Sequence, residues 1–189
     1  RIMVPEEWAD ALVEAISEDL SRVVIGNTAD KSVGMGPVAT ANQLKDVRAG
    51  IDRLAASTTI VCGGSDPVVG VGAPEGKGFY VAPTLLRAES ADSAPDVHKY
   101  EVFGPCATVI PYNGEAEEAA RLVALGGGSL VSATYTDDRK WLKRFLFNAA
   151  PWNGRVLAVT AKVADETFPP GMVLPNCLHG GPGRAGGGE

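Results

Sequence analysis

Apolar residues recur at helical spacing twice near the start of the chain. Trp8, Leu12, Ile16 and Leu20 stand four apart, behind Pro5, Glu6 and Glu7, which suit the first turn of a helix. Leu44, Val47, Ile51 and Leu54 follow at spacings of 3, 4 and 3, behind Thr40 as a cap. Short β-branched or apolar runs punctuate these helices. Ile2 to Val4 reads as a strand end, and Thr58 to Cys62 as a strand stopped by Gly63-Gly64. Gly78 to Val81 reads as strand-like, continuing in extended form through Pro83 to Leu86. Ala88 to Tyr100 is polar and reads as irregular.

From Ala107 the rhythm becomes regular. Ala107 to Tyr112 is an apolar run, and Asn113-Gly114 a turn. Glu115 to Leu125 is an alanine-rich helix stopped by Gly126-Gly127-Gly128, and Ser129 to Tyr135 is the next strand. Asp137-Asp138 lead a helix to about Asn148, with Trp141, Leu142, Phe145 and Leu146 on one side. Arg155 to Val159 is a further strand. This β-α-β-α-β order predicts an α/β fold, a parallel open sheet covered by helices. Past Thr160, Pro169, Pro170, Gly171 and Pro175 forbid a long helix or central strand, and a glycine loop follows from His179. No repeat and no internal domain boundary is visible.

Composition narrows the classes. The 189 residues carry a net charge of -6 and 45% hydrophobic residues, ordinary for a soluble globular domain. No basic cluster stands out, so nucleic-acid binding and a membrane-surface role are not expected. No apolar run approaches the roughly 20 residues of a membrane span, and no signal peptide is visible. The three cysteines, Cys62, Cys106 and Cys177, lack disulfide-type spacing, which suits a reducing, cytoplasmic setting. Cys177-x-His179 has no second ligand pair facing it, so no metal site is expected. The chain starts at Arg1 and stops after three glycines, and a piece of a longer polypeptide is expected from both ends.

The stretch that draws the eye to chemistry is Glu101-Val102-Phe103-Gly104-Pro105, between the irregular segment and the apolar run. Gly104 permits backbone geometry that bulkier residues resist, and Pro105 stiffens the turn. The turn presents Glu101 and Phe103 at a fixed place. A carboxylate accepts hydrogen bonds from vicinal hydroxyls and an aromatic ring offers a flat face, as the ribose and ring of a nucleotide require. On spacing alone, an ordinary turn with a buried Phe and a solvated Glu is the simpler reading.

Other motifs say less. Gly126-Gly127-Gly128 precedes a strand, whereas a phosphate cradle needs strand, then glycine loop, then helix. Gly183-x-x-Gly186 has no lysine and no helix after it; it suits a pocket-lining loop or a flexible end. No Ser-His-Asp arrangement is arguable around His98 or His179. Cys62 and Cys106 read as buried structural thiols, and nothing shows activation of Cys177.

The order of these pieces resembles the C-terminal part of the catalytic domain of the aldehyde dehydrogenase superfamily. The resemblance covers essentially the whole chain. It rests on Met35-Gly36-Pro37 with Gln43, Gly63-Gly64, Gly78 to Leu85, the pentapeptide Glu101 to Pro105, Gly128-Ser129-Leu130 before a strand ending Thr136-Asp137-Asp138, and Gly154-Arg155-Val156. The tail from His179 to Glu189 is similar to the aldehyde dehydrogenase part of bifunctional phenylacetic acid degradation proteins, which join it to an oxepin-CoA hydratase. A related group acts on dehydroadipyl-CoA semialdehyde in benzoate degradation.

The resemblance implies an oxidoreductase. In that family a cysteine attacks the aldehyde, a nicotinamide takes the hydride, and water hydrolyses the thioester with a glutamate base. It implies cofactor-side roles for Glu101 (ribose), Phe103 (nicotinamide) and, more weakly, Gln43. It places His179 on the substrate side. It implies NADP, or NAD, as cofactor, a CoA-linked aldehyde as substrate and a homo-oligomer as parent. The nucleophile, the base and the nucleotide-binding domain are expected upstream of Arg1, so no catalytic residue is assigned within the chain. Residues 1–189 then form a partial catalytic domain that is inactive and does not hold the cofactor alone. A binding or scaffolding domain without catalysis is the alternative.

Overall fold

Strand β1 (Ile2–Pro5) runs straight into helix α1 (Glu6–Ser21) in the computed structural model, which describes residues 1–74, 76–166 and 179–186. The chain divides into two compact units, Arg1–Tyr112 and Asn113–Glu189, where the sequence shows no boundary. Both are α/β, and strand pairing is mostly parallel.

The first unit holds a four-stranded sheet in the order β1-β4-β3-β2, with β2 Thr59–Cys62, β3 Thr84–Arg87 and β4 Cys106–Tyr112. β4 pairs in parallel with β1 (Ile2↔Val109) and with β3 (Thr84↔Cys106), while β2 runs antiparallel to β3. Side chains alternate across a strand, and β4 serves two apolar clusters. Ala107 and Val109 join Val4, Ala9 and Leu85 against Leu12, Val13, Ile16 and Leu20 of α1. Cys106 joins the other cluster, built on Val47, Ile51 and Val81.

Trp8 does not belong to the buried stripe of α1. It is 61% exposed, and Ala9, at 1%, takes its place. A strict four-residue repeat drifts by about 40° per step around a helix with 3.6 residues per turn, so Trp8 falls off the face that Ile16 and Leu20 share. Helix α2 (Ala41–Ala55) follows its sequence closely. Thr40 Oγ1 accepts from the Gln43 N–H at 3.1 Å, and Val47, Ile51 and Leu54 are buried.

Two further differences have a local cause. Gly78 to Val81 forms no strand. Gly78 has φ 89°, and the Tyr80 ring folds back so closely that a Cβ on Gly78 would meet it at 2.2 Å. Within the segment read as irregular, Pro95 starts a short helix, α3 (Pro95–Lys99), with Val97 and His98 buried. His98 Nδ1 lies 3.0 Å from Arg1 Nη1, and its Nε2 3.1 Å from the Ala91 carbonyl oxygen.

The second unit holds α4 (Ala116–Ala124), β5 (Ser129–Tyr135), α5 (Arg139–Ala149) and β6 (Asn153–Val159). β5 and β6 pair in parallel from Ser129↔Asn153 to Tyr135↔Val159. The predicted run of β4, β5 and β6 in one sheet is therefore corrected: β4 already has β1 on one edge and β3 on the other, so no hydrogen-bonding edge is left for β5. Asp138 caps α5, accepting from the Lys140 and Trp141 N–H groups at 2.8 and 3.0 Å. Trp141 stacks on Phe145 with 5.2 Å between ring centroids and donates its Nε1–H to the Gly114 carbonyl.

The glycine tail, as far as it is described, packs on the start of this small sheet. Arg184 N–H donates to the Gly127 carbonyl at 2.9 Å. A Cβ on Gly128 would lie 1.9 Å from the Pro182 carbonyl oxygen, and one on Gly154 1.8 Å from that of Gly180. Gly126-Gly127-Gly128 is thus both a helix stop and the seat of the returning tail. Among the described residues no helix is long and apolar enough to cross a membrane.

Candidate functional site

The loop from Glu101 to Pro105 enters β4 through two successive three-residue turns. Gly104 N–H donates to the Val102 carbonyl at 2.9 Å, and Cys106 N–H to the Gly104 carbonyl at 2.8 Å. The Pro105 carbonyl accepts from Thr84 N–H at 2.8 Å, which ties the loop's end to β3. So tight a path pushes the side chains between the turns outward. Phe103 is 73% exposed, and Glu101 is exposed as well. The reading of an ordinary turn with a buried Phe does not hold.

One face of α2 carries this loop. Gln43 Nε2 donates to the Phe103 carbonyl at 3.1 Å, while its Oε1 accepts from Ala39 N–H at 3.0 Å. One helical turn on, Val47 lies under Gly104, where a Cβ would meet both its methyl groups at 2.6 Å. Gly104 is therefore required for space; its φ is not positive. A turn further, Val102 sits over Gly50, where a Cβ would meet the Val102 Cγ2 at 2.9 Å. Near the end of the helix, Arg53 lies over the Tyr100 ring at 3.3 Å and pairs with Asp96 at 3.0 Å. The structure thus brings the Gln43 side chain to the Phe103 backbone carbonyl, and adds Val47, Gly50 and Arg53 along the same helix. Only one signal in the sequence pointed to this: a glycine, Gly50, in the middle of an otherwise strongly patterned helix.

Cys106 lies behind the loop, half-buried in the cluster under α2. Burial pushes its thiol up, away from the thiolate a nucleophile needs. Cys62 is half-buried in β2. Cys177 lies outside the described residues. Among those described, no group of three His, Cys, Asp or Glu residues is placed to hold a metal ion.

His179 is exposed in the second unit. The residues after it, Gly180 to Pro182, line a small open recess with Pro151, Asn153 and Gly154. Asn153 is fixed there, donating to the Ala149 carbonyl and accepting from the Ser132 hydroxyl.

Residues 1–164 match the model of the aldehyde dehydrogenase family. A 3,4-dehydroadipyl-CoA semialdehyde dehydrogenase from Aromatoleum evansii is 35% identical over 182 residues, 96% of this chain and 35% of that protein. Protein MaoC from Klebsiella aerogenes is 36% identical over 156 residues, 82% of this chain and 44% of that one. The chain therefore spans less than half the length of these curated relatives. Among solved structures, a betaine aldehyde dehydrogenase from Staphylococcus aureus in complex with NAD+ superimposes with a TM-score of 0.77 at 21% identity, over 98% of this chain and 34% of that one. An aldehyde dehydrogenase from Bacillus cereus gives 0.71 at 22% identity, over 84% and 30%. These likenesses establish the fold, and with the family match they establish that the chain belongs to the aldehyde dehydrogenase family.

Proposed function

We propose that the chain is the cofactor-facing part of an NAD(P)-dependent aldehyde dehydrogenase that oxidises a CoA-linked semialdehyde in aromatic-acid breakdown, with NADP preferred. The observation that carries this reading is the Glu101–Phe103 loop, an exposed ring and an exposed carboxylate on a tightly held backbone. These residues fit a nicotinamide nucleotide. The Phe103 ring offers a flat face for the nicotinamide, and the Glu101 carboxylate offers acceptors for ribose hydroxyls. When bound, the nicotinamide supplies the hydride acceptor. The protein's part is to fix the plane and distance of that ring, which governs whether the aldehyde hydrogen can reach it. Gln43 has one amide N–H left for the cofactor side, since its carbonyl and other N–H hold the backbone.

Neither Cys62 nor Cys106 is offered as the nucleophile. The nucleophile, the base and the nucleotide-binding domain belong to sequence upstream, and residues 1–189 alone neither turn over substrate nor retain cofactor. His179 is assigned to the substrate side, and the parent to a homo-oligomer in the cytoplasm. The phenylacetate route is favoured by the tail beginning at His179. The identity with the Aromatoleum protein favours the alternative, 3,4-dehydroadipyl-CoA semialdehyde in place of the phenylacetate-route substrate. The test is nicotinamide reduction by the full-length protein, with CoA-linked and free aldehydes and with each of NAD and NADP. Turnover of a CoA-linked semialdehyde is expected. No turnover of any aldehyde with either nucleotide overturns the reading, and it turns attention to a scaffolding role.

A further inference from the structure

Gly50 stands inside a helix where alanine is the better helix former. Its φ is not positive, so backbone conformation does not ask for glycine. Space does. An added Cβ would stand 2.9 Å from Cγ2, 3.4 Å from Cγ1 and 3.6 Å from Cβ of Val102, the residue between Glu101 and Phe103. We propose that Gly50 is a positioning residue: the gap it leaves in α2 seats Val102, and that seat fixes where Glu101 and Phe103 stand. This rests on the cofactor-side reading of those two residues.

The geometry gives the seat three points. The Phe103 carbonyl is held by Gln43, Gly104 is set against Val47, and Val102 is set against Gly50. The three helix positions are one turn apart on the same face. The first point fixes the backbone after Val102 and the second fixes the turn. Only the third acts on the side chain between the two proposed cofactor contacts. Filling the gap crowds the Val102 methyl groups at 2.9 Å, so that side chain has to turn or lift, and in the proposal the shift is taken up by the loop. The shift passes to its chain neighbours on both sides. A small displacement of Phe103 is enough to matter, since hydride transfer is steep in distance and angle.

The decisive experiment uses fluorophenylalanine incorporated throughout the 189-residue chain, with the Phe103 resonance assigned by Phe103→Leu. Gly50→Ala should shift or broaden that fluorine resonance and leave the other resolved phenylalanine signals in place. Val102→Ala in the same chain removes the methyl groups that the new Cβ meets, so that this Cβ fills the space they leave, and it should restore the Phe103 signal. An unmoved Phe103 resonance in Gly50→Ala, or no recovery in the double variant, overturns the proposal. Should Gly50→Ala fail to fold, Val102→Ala alone decides. It empties the seat, and an unaltered Phe103 resonance would then overturn the proposal. In the full-length enzyme, Gly50→Ala should lower kcat about tenfold or more. The deuterium isotope effect of an aldehyde labelled at its carbonyl hydrogen should rise, and the double variant should reverse both changes. A loss of activity without a change in isotope effect and without rescue marks a merely structural role. If the full-length protein oxidises no aldehyde at all, the functional reading fails while the fluorine result still judges the seat.

Discussion

The side-chain amide of Gln43 donates to the carbonyl of Phe103 at 3.1 Å, joining the first turn of α2 to a loop 60 residues further along the chain. The same amide oxygen accepts from Ala39, so one side chain both starts the helix and holds the loop. This resembles a capping box in which the second hydrogen-bonding group has been turned to a tertiary use.

Separating those two tasks is possible. Gln43→Glu keeps an acceptor for Ala39 N–H and loses the donor to Phe103. Gln43→Ala loses both, and should cost about 1 kcal/mol of stability. The glutamate variant should unfold near the wild-type temperature yet, in the full-length enzyme, raise the KM for nicotinamide nucleotide. Thermal melts and nucleotide titrations of both variants check this. Equal melting losses for the two would place the lost stability in the bond to Phe103 and not in the one to Ala39, and an unchanged KM in the glutamate variant would show that the bond to Phe103 has no part on the cofactor side.

Phe103→Ala removes a ring that is mostly in solvent. Stability should change by less than about 0.5 kcal/mol, as for ordinary surface substitutions. Hydride transfer in the full-length protein should fall about tenfold or more, about 1.4 kcal/mol of barrier. Denaturant melts and single-turnover kinetics measure the two sides. A collapsed fold with an unimpaired hydride step in whatever remains folded would assign the ring to structure.

Asp138 should make the second unit sensitive to acid. The N–H groups of Trp141 and Lys140 donate to its carboxylate and hold it below the usual carboxylate range. A group whose folded pKa lies below its unfolded pKa contributes stability above the unfolded value and loses it as pH falls through the folded value. Asp138→Ala should therefore melt lower than wild type at neutral pH, and the gap should close in strong acid. Asp138→Asn should retain a cap with less pH dependence. Melts across the acid range check this, and a gap that stays constant with pH would contradict it.

Cys106 should be a poor nucleophile. Its thiol is raised by burial, so alkylation by iodoacetamide near neutral pH should be slower than that of a free cysteine in solution. Mass spectrometry of the modified peptide reads the rate directly. Cys106→Ala should cost about 1 kcal/mol and leave aldehyde oxidation by the full-length protein in place. Loss of all turnover with the fold intact would return Cys106 to the chemistry.

Much of the fold was legible because single helices and strands obey local periodicities. The α2 stripe, the Thr40 and Asp138 caps and the bounds of β5 all follow from nearest neighbours in sequence. The partners of β4 were not legible. An apolar run says that a strand is buried, not which strands flank it, and β1 is far away in sequence. Trp8 misled because a four-residue repeat only approximates a helical face. In the site, Glu101 and Phe103 were visible as residue types, and the exposure of the ring was not. That exposure depends on two tight turns whose type the residues alone do not specify, and on a contact of Gly104 with Val47, which is a tertiary fact. Gly50 was in plain view as an anomaly, but its meaning needs Val102 above it.

Because β4 has strands on both edges, the loop that carries Phe103 grows out of the middle of a sheet. Local opening there has to break ladders with β1 and β3 together, so it is tied to the cooperative unfolding of the first unit. Amide exchange along β4 should then be among the slowest in that unit. The loop's aim would be retained through the fluctuations that fray its rim, as a nail driven into the centre of a plank outlasts one driven into its edge.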